Sequence, residues 1–297
     1  FLKLYCPMVP MEFTVKKSAP LMEFLLVALH GKSRTAVKAM LARRIVSVDG
    51  EIVTHVKHPL SVGQIVTIGD KSPEKPKALR GVKIIFEDDA VVVIDKSAGL
   101  LSVAADTGTE RSAHSVVSEY ITRRNPKQKV FVVHRLDRDT SGIMMFVKDK
   151  EVQRNFRTNW QEVVTTRTYA VVVEGVVAKN GGTIKSWLHG TDGLRTWSDQ
   201  NPEGGQKAIS HFKVLQRSAE FSLLDVELET GRKNQIRVHM QDIGHPVVGD
   251  EKYGAHTNPI GRMGLHARVL AFVHPVTGEK MTFESDVPSE FMGLFRG

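Results

Sequence analysis

Residues 134–142 read His134-Arg135-Leu136-Asp137-Arg138-Asp139-Thr140-Ser141-Gly142. Apolar runs rich in large and β-branched residues flank this stretch at residues 130–133 and 143–147, and such runs predict buried strands. A polar, turn-forming segment between two buried strands does not belong in the core. We therefore expect a connection that presents its charged side chains, at a place where folds often mount functional groups.

The pattern His-Arg-Leu-Asp-x-x-Thr-Ser-Gly in this stretch resembles the active-site motif of the RluA-type family of pseudouridine synthases. The resemblance implies that Asp137 is the catalytic residue and that the substrate is a uridine in RNA. A uridine in structured RNA must leave its stack to reach the enzyme. Arg135, next to Asp137, is a candidate to fill the gap that the uridine leaves.

Two other interpretations of the same stretch concern metal binding and proton transfer. An Asp-x-Asp pair can hold Mg²⁺ through carboxylate oxygens, but His134, Arg135 and Arg138 crowd Asp137 and Asp139, which argues against a metal. His134 is a candidate general base. A histidine that ends a buried strand is more often a hydrogen-bonded structural residue, and we favour that role.

Two further segments resemble the family's motifs and supply its other site residues. Residues 165–175 match a strand motif whose functional tyrosine falls on Tyr169, and residues 230–239 match Thr-Gly-Arg-x-His-Gln-Ile-Arg-x-His with Asn234 in place of the first His. Arg237 falls on the catalytic-site arginine. We expect it to favour the ionised form of the Asp137 carboxylate and to hold it bidentately. A neutral Tyr169 would accept or relay the C5 proton while stacking on the base.

Other segments lead to weaker predictions. Residues 95–100 resemble the family's first motif with Ser97 in place of a proline, and Lys96 there either contacts phosphate or caps the strand. Residues 187–205 are rich in Gly and Asp and predict a long, substrate-facing loop. Residues 264–268 and 272–277 resemble the family's closing helix and strand.

No cofactor or metal is expected. The implied reaction changes neither redox state nor composition, and the chain contains no dinucleotide-binding glycine motif or phosphate-binding loop. The histidines at positions 239, 245, 266 and 274 fall in different predicted elements and lack the spacing of a zinc site.

Positive charge is concentrated near the start of the chain. Residues 13–80 hold 12 Lys and Arg against 5 Asp and Glu, whereas the whole chain holds 41 against 33. Such an asymmetry indicates a polyanion-binding module beside a domain of balanced charge.

The pattern of elements over residues 13–69 supports this interpretation. It predicts a helix from Pro20 with Ser18 as a possible cap, a helix over residues 34–44 capped by Ser33, a hairpin about Asp49-Gly50 and a strand at 64–68. This order resembles the S4 RNA-binding domain, although Pro20-Leu21-Met22 departs from its first helix. The expected RNA-binding cations are Lys32, Arg34, Lys38, Arg43 and Arg44. Residues 70–80 predict a linker, and residues 81–297 the catalytic domain.

Composition places the chain among ordinary globular proteins, with 41% hydrophobic and 25% charged residues. No apolar run is long enough to span a membrane, and a single cysteine, Cys6, agrees with a reducing, cytoplasmic setting. Residues 1–10 lack the features of a secretory signal and an initiator methionine, so we expect a processed or partial N-terminus.

We therefore expect a monomeric RNA pseudouridine synthase of α+β class, with a mostly antiparallel central sheet, a cleft between its halves and a small N-terminal S4-like domain. Because an S4 module more often accompanies ribosomal RNA substrates in this family, large-subunit ribosomal RNA is the favoured substrate. The alternatives are a transfer RNA substrate and, less favoured, a non-catalytic RNA-binding protein.

Overall fold

The structure is a computed structural model that describes residues 11–42, 45–69, 78–104, 110–190 and 195–296. Arg43, Arg44 and most of the predicted linker lie outside the described residues. Among the described residues, no helix has the length and hydropathy that a membrane crossing requires.

The first part of the chain forms a small α/β unit. Its elements are β1 (Met11–Thr14), β2 (Ala19–Pro20), α1 (Leu21–Ala28), α2 (Arg34–Ala42), β3 (Val46–Val48), β4 (Glu51–Ile52), β5 (Pro59–Leu60) and β6 (Ile65–Ile68). Strands β1, β6, β3 and β4 form one antiparallel sheet in that order. Apolar side chains of both helices, including Leu25 and Val37, pack on this sheet in one core.

Local rules explain most of these elements. Ser33 Oγ accepts a hydrogen bond from the Ala36 backbone N–H at 3.2 Å and so caps α2, as predicted. Asp49 and Gly50 have φ values of +49° and +87°, which a two-residue hairpin turn of type I′ requires. The prediction of Ser18 as the cap of α1 is wrong, because Pro20 holds the cap position and makes no side-chain cap bond.

The second part of the chain is built on a larger sheet. Its elements are β7 (Ala78–Leu79), β8 (Val82–Glu87), β9 (Val91–Lys96), α3 (Ala113–Arg124), β10 (Phe131–Val132), β11 (Ser141–Val147), α4 (Lys150–Thr158), α5 (Trp160–Val163), β12 (Val164–Glu174), β13 (Gly181–His189), β14 (Trp197–Asp199), β15 (Gln206–Arg217), β16 (Phe221–Leu228), α6 (Gln235–Asp242), a 3₁₀ turn (Glu251–Tyr253), β17 (Leu265–Val273), β18 (Lys280–Glu284) and α7 (Ser289–Gly293).

The central sheet consists of two halves. Its order is β14-β13-β15-β16-β12-β17-β11-β9-β8-β7, with β18 beside β17 and β10 beside β11. The pairing of β11 with β17 is parallel, through Ser141↔His266 and Gly142↔Ala267, and the other described strand pairs of this sheet are antiparallel. The expected α+β class and mostly antiparallel sheet are confirmed.

Strand β11 is buried along its whole length. Met144 and Phe146 pack into one apolar core with α3, whereas Ile143, Met145 and Val147 pack into another with α4. Because alternate side chains of a strand point to opposite faces, this continuous apolar run serves two cores. The strand is therefore a rigid support for the loop that precedes it.

Two predictions about elements are wrong. Residues 187–205 do not form one long loop, because β13 and β14 pair through Trp187↔Asp199 and His189↔Trp197; residues 191–194 lie outside the described residues. The buried side chain of Leu188 anchors this hairpin among the apolar residues near α6. Residues 264–268 do not start a closing helix but enter β17, where they pair with β12 and β11.

Gly142 is the position at which a side chain has least room. Its φ is +112°, and a Cβ there would lie 2.2 Å from the carbonyl oxygen of Ala267. We predict that Gly142→Ala lowers the free energy of unfolding by about 3 kcal/mol or more, because backbone strain and a backbone clash add. Urea denaturation of the full chain measures this loss.

Gly278→Ala is the matched control. Gly278 also has a positive φ of +71°, but no atom lies within 4 Å of its added Cβ, so a loss of about 1 kcal/mol is expected. Equal losses in the two variants would contradict the tight contact between β11 and β17.

Candidate active site

The loop between β10 and β11 holds Asp137 by fixing its two neighbours. Ser102 Oγ accepts a hydrogen bond from the Leu136 N–H at 3.0 Å and donates one to the Leu136 carbonyl at 2.7 Å. On the other side, Lys96 Nζ donates to the carbonyl oxygen of Arg138 at 3.0 Å. The Asp137 backbone is thus held while its side chain stays 28% exposed.

Lys96 is fully buried at the end of β9. Its ammonium donates to three carbonyl oxygens, those of Ser97 at 3.0 Å, Leu100 at 2.7 Å and Arg138 at 3.0 Å. Burial lowers the pKa of Lys96 to about 8, although the charges of Asp139 and Asp137 oppose that shift. Of its two predicted roles, Lys96 therefore caps the strand and joins two loops, and it does not face phosphate.

His134 has a structural role. Its Nε2 accepts a hydrogen bond from the Met145 backbone N–H at 3.0 Å, and its ring lies 5.2 Å from that of Trp160. Burial, followed by the charge of Arg167, lowers the pKa of His134 to about 3. The imidazole is therefore neutral at pH 7, with one nitrogen occupied by the backbone.

Arg237 on α6 contacts Asp137, but not in the predicted manner. Its Nη1 lies 3.3 Å from Asp137 Oδ2, whereas Nε and Nη2 donate to Asp250 Oδ2 and Oδ1 at 2.6 and 2.8 Å. The expectation of a bidentate bond to Asp137 is wrong, because Asp250 occupies that geometry. Burial lowers the pKa of Arg237, but the hydrogen bonds and charge of Asp250, with Asp137, outweigh it and leave the pKa raised.

Asn234 and Tyr253 complete the surroundings of Arg237. Asn234 Oδ1 accepts from Arg237 Nη1 at 3.0 Å, and its Nδ2 donates to the Tyr253 hydroxyl at 3.1 Å. The ring of Tyr253 lies 4.7 Å from the guanidinium, a cation–π distance. Asn234 has a φ of +57°, a conformation that asparagine tolerates better than most residues.

The sequence interpretation missed Asp250 and Tyr253. Both lie in the segment Gly249-Asp250-Glu251-Lys252-Tyr253-Gly254, whose two glycines both have positive φ. Glycine pairs around an acidic residue and an aromatic residue mark a tight, fixed turn. That signal points to a structured turn but not to its arginine partner.

Tyr169 shares a cavity of about 220 Å³ with Asp137 and Arg237. It is half-buried on β12, and burial raises its pKa, with the charge of Arg167 opposing the shift. Tyr169 therefore keeps its hydroxyl proton at neutral pH. The residues that line the cavity are Arg135, Leu136, Asp137, Thr140, Tyr169, Leu228, Gly231, Arg232, Lys233, Asn234, Gln235, Ile236, Arg237 and Leu265.

The cavity has the chemistry of an anionic substrate site. Three exposed cations, Arg135, Arg232 and Lys233, lie on its lining, and the one lining carboxylate is Asp137. A phosphate backbone fits the cations, while a neutral ring fits the apolar walls. Within the described ranges, no group of three or more His, Cys, Asp or Glu is placed to hold a metal ion.

The predicted cations of the first part lie elsewhere in the chain. Lys32 lies just before α2, Arg34 and Lys38 lie on it, and all three are exposed. Arg43 and Arg44, assigned to the same group, lie outside the described residues.

Comparison with known proteins identifies the family of this chain. A family model described as RNA pseudouridylate synthase matches residues 90–242, which include Asp137, Tyr169 and Arg237. An RNA pseudouridine synthase of Bacillus subtilis (strain 168), YlyB, is 34% identical over 286 residues, which cover 94% of each chain. The ribosomal large subunit pseudouridine synthase D of Pseudomonas aeruginosa is 32% identical over 281 residues, covering 89% of this chain and 87% of that one.

Solved structures show the same fold. The human RNA pseudouridylate synthase domain containing 4 superposes with a TM-score of 0.58 at 21% identity, covering 70% of this chain and 90% of that one. A second human protein, RNA pseudouridylate synthase domain containing 1, gives a TM-score of 0.56 at 22% identity, covering 72% of this chain and 86% of that one.

Arg237 contacts both Asp137 and Asp250. Substitutions at Arg237 and at Asp137 should therefore differ in their effect on the free energy of unfolding. Arg237→Met leaves the Asp250 carboxylate, 2% exposed, without its two charge-assisted hydrogen bonds. Removing one partner of a buried ion pair costs about 3–5 kcal/mol, and we predict a loss near ~3 kcal/mol. Asp137→Asn, which affects a more exposed side chain with one long bond, is expected to change stability by less than about 0.5 kcal/mol.

Urea denaturation of both variants at pH 7 measures this difference. Comparable losses in the two variants would mean that Asp137, and not Asp250, is the principal partner of Arg237.

Proposed function

This chain belongs to the RNA pseudouridylate synthase family, and we propose that Asp137 is the residue that carries out its reaction. The protein is an isomerase that converts uridine in RNA to pseudouridine. The observation that carries our proposal is the cavity in which Asp137, Tyr169 and Arg237, from three separate elements, meet.

The reaction breaks the C1′–N1 bond of uridine and forms a C1′–C5 bond, while C5 loses a proton and N1 gains one. No electrons enter or leave, so the chemistry calls for a carboxylate and proton transfers. The carboxylate attacks C1′, attacks C6 of the base, or takes a proton from C2′. All three routes need Asp137 ionised and accessible, and they remain open alternatives.

Arg237 is the proposed partner of the Asp137 carboxylate in the site. One guanidinium N–H group donates to Oδ2 at 3.3 Å. The other Asp137 oxygen accepts no hydrogen bond from the described residues, and the side chain is 28% exposed. The Asp137 carboxylate therefore has an accessible oxygen for the substrate.

Tyr169 is proposed to act next to the base. Its phenol is neutral at pH 7 because burial raises its pKa, so it acts as a donor and acceptor rather than as a charged base. In that form it relays the C5 proton and packs against the uracil ring. Arg135, exposed beside Asp137, is proposed to fill the space that the uridine leaves in the RNA.

Large-subunit ribosomal RNA is the proposed substrate. Relatives from Pseudomonas aeruginosa and Pasteurella multocida, 32% and 29% identical, bear the name ribosomal large subunit pseudouridine synthase D, and each alignment covers about nine-tenths of this chain. The basic first part of the chain agrees with a large, highly charged RNA. A transfer RNA substrate is the alternative, and mapping of modified uridines distinguishes the two.

We further propose two working parts in one chain. Residues 13–69 form an S4-like RNA-binding domain, residues 70–80 a linker and residues 81–297 the catalytic domain, with separate cores in the first and second parts. A monomer in the cytoplasm, where ribosomal RNA is available, is the proposed working form. Phosphate contacts by Lys32, Arg34, Lys38, Arg43 and Arg44 supply sequence-independent affinity.

Asp137→Asn tests the catalytic assignment. The change keeps the size of the side chain but removes its charge and its nucleophilic oxygen, so pseudouridine formation should fall by at least about 10³-fold. Product analysis on a folded ribosomal RNA fragment measures turnover, and RNA affinity and melting temperature should stay near those of the unchanged protein.

Asp139→Asn is the matched control, because it removes the same charge from an exposed position in the same loop. Its activity should stay within about tenfold. Substantial turnover by Asp137→Asn would overturn the assignment.

Neutralising Lys32, Arg34 and Lys38 together to Gln tests the RNA-binding surface. Each lost phosphate contact lowers the slope of log K against log salt by about 0.9 on duplex RNA or about 0.7 on single strands. The triple variant should therefore bind more weakly at low salt, with a slope reduced by about 2.

A second triple variant, with Lys16, Lys17 and Lys57 changed to Gln, removes the same charge from other exposed positions of the first part. It should leave the slope nearly unchanged. An equal decrease in both variants would mean that overall charge, and not the surface on α2, determines affinity.

A further inference from the structure

Asp250 takes most of the hydrogen-bonding capacity of Arg237. Its side chain is 2% exposed, and its carboxylate accepts from Nε at 2.6 Å and from Nη2 at 2.8 Å. The remaining bonds come from Nη1, which serves Asn234 Oδ1 at 3.0 Å and Asp137 Oδ2 at 3.3 Å. Asp137 therefore receives one long, shared hydrogen bond from a guanidinium that could give it two.

The number of these bonds matters to a reacting carboxylate. A bidentate, charge-assisted pair stabilises the ionised form strongly and occupies both oxygens. A carboxylate held in that way is a weaker base and nucleophile, because reaction must first break the pair. A single long bond keeps the charge and leaves one oxygen accessible.

We propose that Asp250 is a positioning residue that holds Arg237 away from two-bond pairing with Asp137, and that Asn234 assists by sharing the remaining donor. This inference rests on the proposed catalytic role of Asp137. Asp250 acts through Arg237 and does not touch the substrate.

The backbone around Asp250 is built to resist movement. Its N–H donates to the Val247 carbonyl at 3.0 Å, and its own carbonyl accepts from the N–H groups of Tyr253 at 2.9 Å and Ala255 at 3.1 Å. The Tyr253 ring covers one face of the guanidinium at 4.7 Å. Asp250 and Arg237 are thus fixed from two sides, whereas Asp137 lies on the open side.

A purely structural role for Asp250 makes the opposite prediction. If Asp250 only tethers α6, its loss loosens Arg237 and withdraws support from the Asp137 carboxylate, so the acidic limb of the rate profile moves to higher pH. If Asp250 restrains Arg237, its loss lets the guanidinium turn to Asp137, so the acidic limb moves to lower pH and the plateau rate falls.

Asp250→Asn in the full chain tests this difference. Single-turnover rates on a folded RNA fragment, measured between about pH 4.5 and 8, should show a plateau about tenfold lower and an acidic limb shifted down by about one unit. RNA affinity should stay within about twofold. The charged and titratable groups that face this site come from each of the surrounding elements. They are Arg135 and Asp139 of the Asp137 loop, Lys96 of β9, Tyr169 of β12, Arg232 and Lys233 before α6, Arg237 on α6, and Asp250, Glu251, Lys252, Tyr253 and Arg262 beyond it.

Two further variants keep the test decisive. Glu279→Gln removes an exposed charge from the turn between β17 and β18, away from the site. It should leave the plateau rate within about twofold and the midpoint of the acidic limb within about 0.3 pH units. Asn234→Gly suits the positive φ of this position but removes the amide oxygen that accepts from Arg237 Nη1. It should therefore shift the acidic limb to lower pH and lower the plateau rate, as Asp250→Asn does, but by smaller amounts. This second variant decides the matter if Asp250→Asn does not fold.

A crystal structure of Asp250→Asn, or of Asn234→Gly, gives a readout that needs no activity. The proposal expects a shorter or two-bond contact between Arg237 and Asp137. An unmoved Arg237, or an acidic limb that stays in place or rises, overturns it. The assignment of Asp137 itself fails separately, through retained turnover in Asp137→Asn.

Discussion

The parallel contact between β11 and β17 is the constraint on which the catalytic part depends. Two residue pairs join the halves of the sheet there, at a glycine whose missing side chain lets the backbones approach. Strand β11 begins where the two halves of the sheet meet. The loop before it therefore places Asp137 beside the half that contains β17. Helix α6 belongs to that other half, and Arg237 reaches from it to Asp137 at 3.3 Å. The site is therefore formed by residues from both halves of the sheet.

A directed chain of hydrogen bonds, one buried and three partly buried, stabilises the same contact between β11 and β17. Arg262 Nη2 donates to Ser141 Oγ at 2.6 Å, so the Ser141 hydroxyl donates to His266 Nδ1 at 2.8 Å. His266 Nε2 then donates to Ser285 Oγ at 3.2 Å, and that hydroxyl donates to Asp95 at 3.2 Å. Burial lowers the pKa of His266 to about 4, which keeps the ring neutral and the direction of the chain fixed. A fully satisfied polar network of this kind favours one arrangement over others.

The structural features that the sequence predicted correctly are those determined by residues close together in the chain. The Asp49-Gly50 turn and the Ser33 cap follow from residue types within a few positions of each other. The contact between Asp137 and Arg237 was predicted only from the resemblance of motifs, because no local pattern joins residues so far apart in the chain.

Asp250 was missed because it contacts Arg237 only after the turn that follows α6 folds back on that helix. The β13–β14 hairpin was missed because its segment is rich in Gly and Asp, which predict a loop. The hairpin depends on the burial of Leu188 near α6, which the sequence does not show.

Two groups of cations in this chain differ in their role, and the difference has a physical reason. Lys96, Arg237 and Arg262 are each committed to oxygen atoms of the protein, so they fix the geometry of the site and contribute little free charge to the surface. The excess of positive charge in the sequence lies in residues 13–80, with 12 Lys and Arg against 5 Asp and Glu. Attraction of a polyanion acts over about 8–10 Å in salt and tolerates mobile side chains. A reacting carboxylate instead needs its partners fixed to within about 0.5 Å. We infer that one group of cations could not meet both needs, because a guanidinium free to follow phosphates is also free to pair with Asp137.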